Sequence, residues 1–258
     1  MELSALEFNM SWYAKDVPAL ITAGDELFKR AGKPKWLSTA NKIIEARKWE
    51  PSRKLIEPNL QSVLEQLGFF YFPKGRRPGP CFVFPLRDLG ADAVTRAQVK
   101  PCYELMDTNT DKLCKYMLIG PKVTLGPNWL GNDKATIEQV IKQRRVVLVE
   151  GGFDLLACRL LCPQLPFLTP LKKSLSKEHE TYLRMLGVKT LYLMFDNERA
   201  KEGRDRGAGN ASMSIEQQRI KSMTTEVLLC PSEDASACLE NLRKARELKA
   251  LLESTLGG

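Results

Sequence analysis

Two short apolar runs in this chain each stop at carboxylates. Val146-Val147-Leu148-Val149 leads into Glu150, with Gly151, Gly152 and Asp154 behind it, and Leu191-Tyr192-Leu193-Met194-Phe195 leads into Asp196, Asn197 and Glu198. A third run, Glu226-Val227-Leu228-Leu229, is followed by Glu233 and Asp234. Carboxylate oxygens gathered at one point suit a hard divalent cation, and Mg²⁺ in particular binds through one or two carboxylates plus phosphate while keeping several waters. Glu150, Asp154, Asp196, Glu198 and Asp234 are therefore the candidate metal ligands. Of these, Glu150, Asp196 and Glu198 are the candidate catalytic residues, and Glu150 can serve as ligand or as general acid/base. Two of the acids have a plainer alternative. Asp154 can favour the positive end of the helix it opens, and Asp234 can cap a helix starting at Ala235.

For these acids to meet, their strands must lie side by side and point the same way. In an open α/β sheet, ligands collect beyond the carboxyl ends of parallel strands. The pattern from Lys134 onward fits: a helix over 135–142, strand 145–149, a helix over 153–162 and a short strand at Phe167-Leu168. Next come a helix from the N-cap Ser176 to the C-cap Gly187, strand 190–195, a polar loop 197–209, a helix over about 210–223, strand 226–229 and a final helix over 235–254. Strands alternating with helices imply an α/β fold with a mostly parallel sheet flanked by helices. Upstream, helical spacing covers Ala14 to Ala31, Trp36 to Trp49 and Asn59 to Leu67, with breaks at Gly32-Lys33-Pro34 and Glu50-Pro51 and a stop at Gly68. Strand-like runs follow at Phe69 to Phe72, Cys81 to Leu86 and Ala93 to Val99. The expected division is an N-terminal helical region (1–57), a small basic α+β subdomain (58–133), the parallel-sheet domain (134–232) and a C-terminal helix (233–258).

The chain has 258 residues and a formal net charge of +8, with a pI near 9.1. The basic residues concentrate where a polyanion would need them. Lys74, Arg76, Arg77, Arg87, Arg96 and Lys100 face only Asp88 and Asp92 across the same stretch, and Lys115 and Lys122 follow. These eight are the candidate nucleic-acid or nucleotide-binding residues, with Tyr71, Phe72 and Tyr116 as stacking or core aromatics. Seven cysteines without a CxxC pair, and a single histidine, His179, exclude a structural zinc site of the usual spacing. The thiols fit a reduced core. His179 is expected on an exposed helix face, and Trp12, Trp36 and Trp49 are expected in packing. No run approaches the roughly 18 apolar residues of a membrane span, and no secretory signal opens the chain, so a cytosolic location without membrane association is expected.

The acidic segments, taken with their surroundings, resemble a known family. Val-Val-Leu-Val-Glu-Gly-Gly-Phe-Asp followed by Leu-Tyr-Leu-Met-Phe-Asp-Asn-Glu is similar to the Toprim domain of bacterial-type primases, topoisomerases and some nucleases. Phe82-Val83-Phe84-Pro85-Leu86-Arg87-Asp88-Leu89-Gly90 resembles the strand and turn that precede Toprim in DnaG-type primases. Lys115-Tyr116 with Trp129-Leu130-Gly131, and Ser232-Glu233-Asp234, are similar to two further stretches in the right order, and the resemblance covers about 58–250. It implies the catalytic core of a DNA-dependent RNA primase using Mg²⁺ or Mn²⁺. Its partners would be a single-stranded DNA template and ribonucleoside triphosphates, with a replicative helicase as a further partner. The chain departs from the family at Glu198, where an aspartate is usual, in the charged stretch Arg199 to Arg206, and at Ser236, which replaces the second aspartate of the "DPD" turn. It also lacks the family's zinc-binding and helicase segments, as expected of a reduced version from a phage or mobile element. These departures keep two other readings open: a Toprim nuclease or nicking enzyme, and a catalytically reduced module that binds single-stranded DNA or a replication partner.

Overall fold

Two helices lead into two sheets. The computed structural model describes residues 32–72, 81–87, 94–102, 117–119, 129–197 and 208–256. Helix α1 (Gly32–Ala46) is followed by a tight 3₁₀ turn (Glu50–Ser52) and helix α2 (Arg53–Leu67). The break expected at Gly32-Lys33-Pro34 is instead the first turn of α1, where a proline has no intrahelical N–H to lose. Helix α2 likewise starts at Arg53 rather than Asn59 and runs through Pro58. That proline forfeits one backbone hydrogen bond, and burial of Ile56, Leu60, Val63, Leu64 and Leu67 along one face compensates. Gly68 ends the helix in the left-handed region, φ 67°.

The first sheet is antiparallel: β1 (Phe70–Phe72), β2 (Cys81–Arg87), β3 (Val94–Pro101) and β4 (Met117–Ile119), adjacent in that order. Its centre pairs Val83 with Val99. Strand β1 reaches only Cys81 to Val83 of β2, so Pro85 has no ladder partner on that side and its missing N–H costs little. Strand β4 was not anticipated, because three residues carry no readable period.

The second sheet is parallel throughout. Its strands β5 (Arg145–Val149), β6 (Phe167–Leu168), β7 (Thr190–Met194) and β8 (Thr224–Val227) lie in the order β6-β5-β7-β8. Around them stand α3 (Lys134–Gln143), α4 (Gly152–Leu161), α5 (Lys177–Met185), α6 (Ala208–Arg219), α7 (Ala235–Cys238) and α8 (Leu242–Leu256). Alternate residues feed two apolar layers. Val147, Val149, Tyr192 and Met194 face one, with α4 and α8, while Val146, Leu148, Leu191, Leu193 and Phe195 face the other. The first layer continues without a break through Phe82 and Phe84 of β2 to α1 and α2, so the antiparallel sheet shares its core.

Three expectations need correction. Strand β8 lies two residues earlier than 226–229; Leu228 stays buried but Leu229 is 52% exposed beyond the strand end. The final helix is two helices, because Asn241 breaks the run and accepts hydrogen bonds from the amides of Arg243 and Lys244, capping α8. His179 is buried rather than exposed. Its Nδ1 pairs with Ser176 in the N-terminal capping box of α5, and its ring stands edge-on to Trp129 at 4.7 Å. The six described cysteines, 81, 102, 158, 162, 230 and 238, are buried free thiols, and Trp49 is fully buried. Among the described residues, no helix is long and apolar enough to cross a membrane.

Candidate active site

Strands β5 and β7 are neighbours with Val149 opposite Met194, so their chains leave the sheet level with each other. Glu150 follows one and Asp196 ends the short extension of the other. Gly151 and Gly152 then let the chain turn tightly into α4. A Cβ on Gly151 would stand 2.9 Å from Asp154 Oδ2, and one on Gly152 would press on Phe84 and Leu130 at 3.1 Å. Gly151 thus leaves room for the Asp154 carboxylate, and Gly152 lets the acidic turn sit directly against Phe84 of the antiparallel sheet.

Glu150 and Asp196 are crowded carboxylates. The Glu150 carbonyl accepts from the Thr169 hydroxyl at 2.8 Å, which fixes its backbone. Its Oε1 lies 3.6 Å from Lys173 Nζ, while Oε2 is buried with no hydrogen-bond partner. Burial raises the Glu150 pKa, opposed by the charge of Lys173 and the contact with Asp196. Asp196 is pushed up to about 7, first by burial and then by the charges of Glu150 and Asp234.

Asp154 and Asp234 are held differently. Asp154 Oδ2 accepts from the Gly151 amide and Oδ1 from the Ser236 amide, each at 3.1 Å. One side chain therefore closes the N-terminus of α4 and ties it to the first turn of α7. Burial, then Asp234 and Asp196, raise the Asp154 pKa well above the carboxylate range. Asp234 Oδ1 accepts from the Ala237 amide, so this acid caps α7. Asn197 joins the same turn to β7. Its amide N–H donates to the Glu233 carbonyl, its Nδ2 to the Cys230 carbonyl at 2.8 Å, and its Oδ1 accepts from Asn210 of α6.

A clamp from the helical N-terminal part completes the arrangement. Arg47 donates to Ser236 Oγ through Nε at 3.0 Å and Nη2 at 2.7 Å, and Trp49 Nε1 donates to the Ser236 carbonyl at 2.9 Å. Phe153, the residue before Asp154, is ringed by aromatic edges from Trp49, Phe82 and Phe84. Arg47 and Lys100 each place a cation about 5 Å from its ring centre, at 5.0 and 4.9 Å.

The structure thus gathers the four acids around Asp196, which feels the charges of Glu150 and Asp234 and acts in turn on Asp154. Glu198 lies outside the described residues, as do Lys74, Arg76, Arg77, Lys115, Lys122 and Tyr116. Arg87 and Arg96 sit at neighbouring ends of β2 and β3, in register with Val94 and Leu86. Lys100 reaches Phe153, and Tyr71 packs half-buried against Phe82. Among the described residues, no three acidic, histidine or cysteine side chains converge closely enough to hold an ion by themselves. Lys173, Asn197, Arg47 and Trp49 were not expected as parts of this centre, whereas Ser236 was expected there in place of the family's second aspartate. Asn197 had the best signal, sitting between two acids at a strand end.

The fold, an antiparallel sheet packed against a parallel sheet with acids at its carboxyl edge, is similar to that of DnaG-type primase catalytic cores. Three solved structures show the likeness. The RNA polymerase domain of Mycobacterium tuberculosis primase DnaG, in complex with double-stranded DNA, is similar with a TM-score of 0.55 and 17% identity, over 82% of this chain and 78% of that one. The Aquifex aeolicus primase, comprising zinc-binding and RNA polymerase domains, gives 0.56 and 17% over 90% of this chain and 66% of that one. The E. coli primase catalytic core gives 0.52 and 18% over 86% and 73%. No protein-family model matches the chain, and no curated protein matches it by sequence.

Proposed function

We propose that this chain is the catalytic core of a DNA-dependent RNA primase, making short RNA primers on single-stranded DNA in the cytosol. The observation that carries this reading is the meeting of Glu150 and Asp196 at the ends of adjacent parallel strands, within a primase-core fold. Buried carboxylates are normally paired or hydrogen-bonded, yet Glu150 Oε2 has no partner and Asp196 is raised to about 7 by its neighbours. A divalent cation suits that unmet demand, and Glu150, Asp196 and Glu198 would hold Mg²⁺ or Mn²⁺, with Asp234 beside them. When bound, the metal would supply Lewis-acid charge at the triphosphate and favour the nucleophilic form of the attacking 3′-hydroxyl.

The chain's own residues set the stage for this. Thr169 fixes the Glu150 backbone, and Asn197 holds the end of β7 to the Asp234 turn. Asp154 spends both oxygens on backbone amides and positions that turn rather than the ion. Lys100, Arg87, Arg96 and the basic residues Lys74, Arg76, Arg77, Lys115 and Lys122 would take template or nucleotide phosphates. A similar catalytic domain, the DnaG primase catalytic domain bound to ssDNA, supports single-stranded DNA as template. A replicative helicase would be the further partner.

A second reading has its own observation. The position where the family carries another aspartate is Ser236, neutral and held by Arg47, and no described trio of acids closes around an ion. That favours a reduced module binding single-stranded DNA. One assay separates the readings: single-stranded template, ribonucleotides and Mg²⁺ or Mn²⁺. Primase activity gives short RNA that disappears in Asp196→Asn. Template cleavage without nucleotides would indicate the nuclease, and DNA binding without either reaction the module.

A further inference from the structure

Among the described residues, Lys173 is the cation that an ion pair places on the acidic centre. Its ammonium lies 3.6 Å from Glu150 Oε1, and its side chain is one-third exposed. Its charge acts on Asp196 as well as on Glu150. The loop that carries it is built with care. Leu171 adopts φ 57°, a left-handed conformation that a branched residue adopts only under constraint. Two contacts supply the constraint: the Leu171 amide donates to Thr169 Oγ1 at 3.0 Å, and the Leu171 side chain packs on the core. Thr169 Oγ1 in turn donates to the Glu150 carbonyl. A single chain of contacts thus runs from the backbone of Glu150, through a strained residue, to the lysine that faces the Glu150 side chain.

We propose that Lys173 is a resident counter-cation of the acidic centre, which occupies Glu150 until a divalent metal arrives with a nucleoside triphosphate and then turns its ammonium to the phosphates. The inference rests on the primase reading of the site. Two cations cannot share one carboxylate without cost, so metal at Glu150 displaces the ammonium. The anchored loop keeps the displaced ammonium close, and the anion that comes with the metal is the triphosphate. Lysine serves well here, because it binds phosphate as a compact point charge on a flexible stem. Metal and nucleotide then bind cooperatively: each weakens the Lys173–Glu150 pair that opposes the other. Glu150 is also spared from standing unpaired in the empty site.

The test measures binding rather than turnover. Mn²⁺ binding is followed by electron paramagnetic resonance, with and without a non-hydrolysable ribonucleoside triphosphate, for the wild type, Lys173→Met, Lys173→Gln and the neighbouring Lys172→Met. Loss of a partly exposed ion pair is expected to tighten Mn²⁺ binding about two- to fivefold without nucleotide. The same variants are expected to bind triphosphate several-fold more weakly, so cooperativity collapses, while Lys172→Met behaves as wild type. Weaker Mn²⁺ binding in both Lys173 variants, unchanged binding in both, or equal effects from Lys172→Met would overturn the proposal. Failure of wild-type protein to bind Mn²⁺ at all would instead remove the metal site on which the primase reading stands. Thermal melting of both Lys173 variants confirms that a folded protein was measured.

Discussion

Four carboxylates stand within one small region, yet two strand ends and two helix caps use them in opposite ways. At the caps, every described need is met by backbone: Asp154 takes amides from Gly151 and Ser236, and Asp234 takes that of Ala237. At the strand ends, Glu150 keeps a buried oxygen without a partner, and Asp196 is crowded by Glu150 and Asp234. Burial and neighbouring charge raise the pKa of Asp154 as they do that of Asp196, but Asp154 offsets part of that cost through two backbone amides. Distance along the chain does not predict the difference; Glu150 and Asp154 are separated by a single turn. What differs is the donor: two helix-start amides hold Asp154, whereas Glu150 leans on Lys173 and on its neighbour Asp196.

Exchanging the charges breaks this contrast most sharply. Asp196→Asn and Glu150→Gln are each expected to cut template-dependent synthesis by on the order of 10²–10³ or more, the scale of losing one electrostatic stabiliser of a transition state. Their melting temperatures should stay level or rise, because a repulsive charge is removed. A large fall in stability for Asp196→Asn would place it with the caps. Asp154→Ala should do the reverse, removing a cap and stranding two amide donors. About 3 kcal/mol of folding free energy should vanish in urea unfolding, and Asp154→Asn should recover part of it.

The contrast also has a pH signature. Folding raises the Asp196 pKa from the ordinary carboxylate range, about 4, to about 7. Between those values the folded chain holds more protons than the unfolded one. Stability from this group is therefore greatest at the acid end and is lost as pH rises to 7. After solvent screening, the loss is roughly 1–2 kcal/mol. Melting curves across this range should slope downward for the wild type and flatten for Asp196→Asn, and added Mg²⁺ should restore stability at the upper end. The smallest expected effect belongs to the clamp. Arg47→Met should cost about 1 kcal/mol through its bonds to Ser236. It should raise the Mg²⁺ concentration needed for half-maximal synthesis if the Asp234 turn drifts, and leave that concentration unchanged if the clamp only supports the fold.

Some of this architecture is written plainly in the chain. Val146–Val149 and Leu191–Phe195 read as strands because a parallel strand covered on both faces leaves a continuous apolar run, and the acids behind them mark where each run ends. Caps at Ser176 and Gly187 are equally legible, since side-chain acceptors and left-handed turns have few suitable residues. Helix α2 was misread at its start because Pro58 suggests a break, whereas five buried apolar residues outweigh one lost bond. Helix α7 stops at Cys238 and Asn241 caps α8, and a continuous helical period hides that. The sequence marks Asp154 and Asp234 as possible caps, but the second grip of Asp154 on Ser236 is not legible, because that amide is brought in by a distant turn. The Arg47–Ser236 contact joins residues 189 apart with no pattern at either end, and Lys173 looks like any surface lysine until its loop is seen.

That separation of 189 residues has a consequence for the order in which the protein is made. The grip on Ser236 needs a helix from early in the chain and a turn from near its end, and α4 must already lie between them with Phe153 in place. Contacts so distant in sequence close late, after the entropy of a long loop has been overcome. On the ribosome, the parallel sheet can gather before the Asp234 turn has left the exit tunnel, but the clamp cannot. A chain stalled short of residue 236 would carry Glu150 and Asp196 without their lock, so the acidic centre stays unfinished until that turn has emerged.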